Sequence, residues 1–167
     1  LDSDDVALPN WLERLAVAAD AVQPQLLFSG YHYSSQDGTC VKLPEVGGGI
    51  FQGLRTHWLA GSFAVRREAY LAVGGYDANL GFSENTELGI RLSDMAVRRN
   101  WRTTCVDEPL MIRNVCVRKP SRGYDAKQLH ASRYIVEQYA SLFGRLPRDR
   151  YHYLSIAGVN AVRCPQA

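Results

Sequence analysis

The 167-residue chain has the length of one domain able to bury a sizeable core, and a composition of 46% hydrophobic and 22% charged residues excludes an intrinsically disordered segment. A formal net charge of +2 is too small to argue for a nucleic-acid partner, and no apolar run reaches the length of a membrane span. Four cysteines, Cys40, Cys105, Cys116 and Cys164, stand at irregular spacing without a C-x-x-C pair, which points away from zinc or dithiol chemistry and toward free thiols in a reducing compartment.

The first segment, LDSDD, crowds Asp2, Asp4 and Asp5 together, so that each carboxylate makes the next harder to ionise. Two readings fit. A hard divalent cation such as Mg²⁺ or Mn²⁺ prefers carboxylate oxygens and shares its shell with substrate phosphates. An acidic cluster also suits the N-terminus of the helix predicted next. That helix covers VALPNWLERLAVAADAVQ, with Pro9 in its first turn and Leu12, Leu15, Ala16, Ala19 and Val22 at helical spacing. LDSDD reads as the carboxyl end of a strand whose apolar body lies upstream, the place where an open α/β sheet gathers ligands.

Beyond Pro24, QLLFSGYHYSSQDGTCVKL predicts two strands around an Asp37-Gly38 turn. PEVGGGIF reads as a loop able to move, because three successive glycines pack no side chains. A short strand around Ser62 to Val65 leads into a short helix through Tyr70, stopped at Gly74-Gly75. SENTELGIRLSDMAVRRN predicts a helix with Leu88, Leu92, Met95 and Ala96 on one face. RTTCV is a brief strand, and Pro109 with the basic IRNVCVRKPSR segment follows as irregular chain. Arg113, Arg118, Lys119 and Arg122 make that segment a candidate anion contact. One last helix runs through DAKQLHASRYIVEQYASLFG and stops at Gly144, leaving 146–167 as a tail without assigned structure. Alternating strands and helices argue for an α/β layer architecture, with a sheet thin enough to expect further strands upstream.

Two segments in this order resemble the inverting, family 2 type of nucleotide-sugar glycosyltransferase. LDSDD followed by LPNWLERL is similar to that family's D-x-D-D motif and the helix after it. GSFAVRREAYLAVGGYDANLGFSENTELGIRL is similar to its acceptor-side signature, in which a small-residue strand, an Arg-Arg-Glu helix start, a GG-aromatic-Asp turn and an acidic helix follow in order. EPLMIRN resembles the strand and loop that close the fold. The likeness covers roughly residues 1 to 115 and is carried by order and spacing more than by any single motif.

The resemblance implies a GT-A (nucleotide-diphospho-sugar transferase, Rossmann-like) α/β fold over residues 1–145, incomplete because the N-terminal nucleotide-binding strands are missing, and inactive as a fragment. It implies a metal-dependent transferase that moves a sugar with inversion from a nucleoside diphosphate to the hydroxyl of a saccharide or lipid-linked acceptor. Asp4 would coordinate Mg²⁺ or Mn²⁺ and Asp2 would support the metal's shell or the ribose, since a diphosphate leaving group develops charge as the glycosidic bond breaks. Arg113 would join Asp2 and Asp4 on the donor, while Trp58, Gly61, Ser62 and Asn85 would meet the acceptor. A cytoplasmic location follows from the same likeness, with peripheral association at the membrane face as a further expectation.

One departure matters. The family's acid pair supplies a general base, but the matching positions here are Glu84 and Asn85, and an amide cannot take that proton. Glu84 or Glu87, one helical turn apart, would have to act instead, or both merely complement the helix dipole. His130 reads as a surface or packed histidine, since the segment after PLMIR lacks the metal-binding histidine of many relatives. Asp77 reads as a turn-former, and Trp58 serves either a sugar ring or the core. A non-catalytic glycosyltransferase-like module that binds a saccharide or a protein is the rival reading. A metal-dependent phosphotransferase would explain the Asp cluster but not the second segment.

Overall fold

A computed structural model describes residues 1–2, 4–36, 38–114 and 124–163. Its elements run β1 (Val6–Ala7), α1 (Trp11–Val22), β2 (Leu26–Ser35), β3 (Gly38–Lys42), β4 (Glu45–Val46), a 3-10 turn (Gly49–Phe51), β5 (Arg55–Thr56), β6 (Phe63–Val65), α2 (Arg67–Ala72), α3 (Glu84–Arg98), β7 (Thr103–Asn114), α4 (Tyr124–Gln138), α5 (Ala140–Gly144) and α6 (Pro147–Arg163).

The spine of the sheet is the parallel pair β2 and β7, which runs from Leu26 opposite Thr103 to Ser34 opposite Asn114. β1 lies antiparallel on the far edge of β7, while β6 and β3 take successive halves of the other edge of β2, both antiparallel. The architecture is therefore mixed α/β around a mixed sheet, and β4 and β5 form a separate two-stranded ribbon. Alternation along β2 sends its side chains to opposite layers. Leu26 and Phe28 pack with Leu88, Leu92 and Ala96 of α3, whereas Leu27 packs with Leu15 of α1 and with Val106 and Leu110. A third cluster, Ile50, Ile90, Ile135 and Phe143, stacks the C-terminal helices on the outer side of α3.

Several expectations change. Pro9 precedes the helix, whose N-cap position is Asn10. The brief RTTCV strand is a 12-residue strand that passes through Pro109, because register shifts flank Gly30, the residue paired with Pro109. A bulge is where a residue without an N–H fits a ladder. Gly30 is also crowded: a Cβ there would lie 2.7 Å from the Lys42 carbonyl oxygen and 3.1 Å from that of Glu108. The glycine loop is not free chain, since it holds β4 and the 3-10 turn, and a Cβ on Gly48 would meet Asp149 Oδ1 at 2.8 Å. The last predicted helix breaks at Tyr139 into α4 and α5, and the tail is the 17-residue α6.

Cys40 and Cys105 are free thiols. Asp37, Cys116, Arg118, Lys119, Arg122 and Cys164 lie outside the described residues. Among the described residues no helix is long and apolar enough to cross a membrane.

Candidate functional site

The acidic segment folds as a turn over the carboxyl ends of β2 and β7. The Asp5 backbone N–H donates to the Asp2 carbonyl at 3.2 Å. Asn114, the last residue of β7, donates its backbone N–H to Asp5 Oδ1 (3.2 Å) and its side-chain amide to the Asp4 carbonyl (2.8 Å). Burial raises the Asp5 carboxyl above its ordinary range, the Asn114 bond pulls against that, and Asp2 and Asp4 push it further up. Three acids within reach of one another are thus observed, and Arg113 is the cation that Asp5 feels. Leu1 lies against Gly61, whose φ of +86° suits only a residue without a Cβ, and the Gly61 carbonyl accepts from Trp11 Nε1 at 3.0 Å. These contacts tie the acid turn to the start of α1 and to the loop before β6.

The second segment delivers α3. Ser83 sits at its N-cap in the left-handed region (φ 59°) and makes no side-chain cap, so the first turn of α3 offers uncapped N–H groups. Tyr76, from the GGYD turn, donates its hydroxyl to Asn85 Oδ1 at 2.7 Å. Burial raises the Tyr76 phenol, and Tyr70, Glu84 and Asp2 raise it further through their charge. One phenol therefore senses charge from Asp2 in the first segment and from Glu84 in the second. Among the described residues the Glu84 carboxylate accepts no hydrogen bond and forms no ion pair.

Other predicted residues sit elsewhere. Glu87 is 2% exposed, and both its oxygens are taken by the Arg91 guanidinium, with the Tyr139 hydroxyl donating to Oε1. It is a core anchor, and a base with no free oxygen beside the acids cannot serve there. Ser62 is fully buried, and its hydroxyl donates to the carbonyls of His57 (3.1 Å) and Leu59 (2.9 Å), so it fixes a turn and does not meet an acceptor. Asp77 accepts from the backbone and side chain of Asn79 and from the Tyr134 hydroxyl, and that last bond is the main cause holding its carboxyl below the usual range. His130 is exposed on α4, its ring 6.0 Å from that of Tyr134.

Trp58 packs in the core and also lines a cleft. Its ring packs edge-on against Phe28 (5.0 Å) and Phe63 (5.2 Å), over Gly89, and it also lines a cleft of about 630 Å³. Tyr31, Lys42, His57, Thr86 and Arg113 complete the working part of that wall. His57 lies tilted on Tyr31 at 4.6 Å, and burial lowers its pKa, with Arg113 and Lys42 adding to the effect and Glu45 opposing it. The Nδ1 atom of His57 and the indole N–H of Trp58 are buried without hydrogen-bond partners among the described residues. Nothing in the spacing of THW singles out His57; only the folding of the 45–59 segment against β2, β3 and Arg113 makes it part of a site. A second hollow, about 560 Å³ between α1 and β6, is walled mainly by apolar residues such as Leu15, Leu27 and Phe63.

Among the described residues no three His, Cys, Asp or Glu side chains form a complete metal cage. Mg²⁺ and Mn²⁺ ask for less, since one or two carboxylates with phosphates and water commonly suffice. Asp2 and Asp4, hard oxygen donors crowded beside Asp5, fit such an ion. No model of a known protein family matches the chain, and no curated protein matches it either.

Proposed function

We propose that the chain is the acceptor-side part of a metal-dependent inverting glycosyltransferase of the GT-A type. The observation that carries this reading is Tyr76, which binds Asn85 at 2.7 Å and feels the charges of both Asp2 and Glu84. The reading needs the acids of LDSDD and the acidic start of the second segment to share a cleft, and they are far apart in sequence.

In this reading Asp2 and Asp4 would hold Mg²⁺ or Mn²⁺, which would supply stabilisation of the charge that a nucleoside-diphosphate leaving group develops. The acceptor hydroxyl oxygen attacks the anomeric carbon from the face opposite the diphosphate, the carbon–phosphate-oxygen bond breaks, and Glu84 takes the hydroxyl proton. Glu84 is suited to this because Glu87 and Asn85 are committed elsewhere. The Tyr76 hydroxyl fixes the Asn85 carbonyl oxygen, which leaves the amide N–H₂ to orient the acceptor. The outer edge of β6 has no strand partner among the described residues, and the apolar hollow borders it. An upstream strand leading into LDSDD would cover both.

The test is calorimetric titration of the chain with Mn²⁺ in the presence of pyrophosphate. Uptake is expected, weakened at least about tenfold by Asp4→Asn, a change worth about 1.4 kcal/mol. No uptake in the unaltered chain overturns the reading. In the complete enzyme that this reading implies, Glu84→Gln is expected to lower kcat by about 10²- to 10⁴-fold while donor affinity holds. Unchanged kcat would remove Glu84 as base, whereas no turnover in the unaltered complete protein would favour the non-catalytic saccharide-binding module, which the amide at Asn85 suits.

A further inference from the structure

The cleft beside α3 carries more chemistry than a neutral sugar requires. Its wall combines the aromatic rings of Tyr31, Phe51, His57 and Trp58 with the cations Lys42 and Arg113, and Glu45 is the one carboxylate among the described residues that line it. Arg113 stands at the seam: its charge is felt by Asp5 in the acid turn and by His57 inside the cleft. A guanidinium and an ammonium beside stacked rings suit a sugar ring that bears an anion, the rings taking its C–H face and the cations its charge. Thr86 brings the uncapped first turn of α3 to the same wall, adding positive potential. The nitrogens of His57 and Trp58 that lack a partner among the described residues favour the same ligand, because an unmade buried hydrogen bond costs about 1–3 kcal/mol and sugar hydroxyls can make it once the wall adjusts.

We propose that this cleft receives an anionic saccharide, one carrying a carboxylate or a phosphate, and that Arg113 and Lys42 bind the anion of that acceptor rather than the diphosphate of the donor. The proposal rests on the glycosyltransferase reading for the word acceptor, but the binding itself can be measured without it. Arg113 thereby moves from the donor, where the sequence put it, to the acceptor.

The experiment titrates the 167-residue chain calorimetrically with cellobiouronic acid, glucose 1-phosphate and cellobiose, and separately with Mn²⁺ and pyrophosphate. At least one anionic sugar is expected to bind about tenfold or more tightly than cellobiose, the strength of one well-placed charge contact. The two anionic arms tell a uronate from a sugar phosphate. Arg113→Ala and Lys42→Ala are each expected to abolish that preference, and Lys42→Ala to leave Mn²⁺ and pyrophosphate uptake unchanged. Cellobiose binding as tightly as both anions, no saturable binding of either anion, or Arg113→Ala weakening pyrophosphate but not the sugar would each overturn the proposal. Failure of Mn²⁺ uptake with the anionic preference intact would instead remove the glycosyltransferase reading and leave the binding site standing.

Discussion

Glu87 and Arg91 stand one helical turn apart on α3, and their pairing explains much about the site without taking part in it. The Arg91 guanidinium also donates to the Val73 carbonyl, which ends α2, so one ion pair joins α2, α3 and, through Tyr139, the break between α4 and α5. Tyr139 is raised far above an ordinary phenol by burial and then by its bond to Glu87. Removing one charge from a buried pair leaves the other uncompensated, which is costlier than losing the pair as a whole. Glu87→Gln is therefore expected to destabilise the fold by about 3 kcal/mol in chemical denaturation, less than the largest such effects because the Arg91 side chain is 22% exposed. Its Mn²⁺ and pyrophosphate uptake should equal that of the unaltered chain. A selective loss of uptake with full stability would mean that Glu87 belongs to the metal site.

Helix α3 shows at the scale of an element how packing overrides propensity. Gly89 lies in its interior, where alanine ordinarily stabilises a helix by roughly 1 kcal/mol. Here a Cβ would fall 2.6 Å from the Trp58 ring, which Phe28, Phe51 and Phe63 hold in place. Gly89→Ala is expected to reverse sign and destabilise by about 1–3 kcal/mol, with a changed tryptophan emission on the cleft side. A stabilised variant would show that the ring is free to move. The same helix was legible in the sequence from its period, as α2 was from the Gly74-Gly75 stop, both glycines at positive φ (84° and 72°). β7 was not, because Pro109 reads as a breaker until a bulge on its neighbour Gly30 makes room for it. His57 and the seam position of Arg113 depend on contacts between distant loops that no local pattern encodes.

Across the whole molecule, α6 is what turns separate elements into one cleft. Its inward stripe, Tyr153, Ile156, Ala157 and Asn160, mixes polar and small residues, which hid it in the sequence. Tyr153 packs edge-on to Phe143 at 5.5 Å, and its pKa is pushed up to about 12 chiefly by burial, with Thr86 in the first turn of α3 pulling against that. Asp149 at the start of α6 closes on Gly48, so the helix also pins the segment that carries β4 and the 3-10 turn. The acid turn is held independently, by Asn114 and the start of α1. Truncation after Leu146 should then act unevenly. Losing Tyr153 and its neighbours is expected to cost about 3 kcal/mol or more of stability, since a single large apolar side chain accounts for about 1.5–3 kcal/mol. Amides of residues 45–53 should exchange much faster as that segment opens locally. Binding of an anionic sugar should weaken with them, while Mn²⁺ and pyrophosphate uptake persists at a temperature where the shortened chain remains folded. Equal loss of both, in a chain still folded by circular dichroism, would show that the cleft and the acid turn are one mechanical unit and that α6 supports the two together.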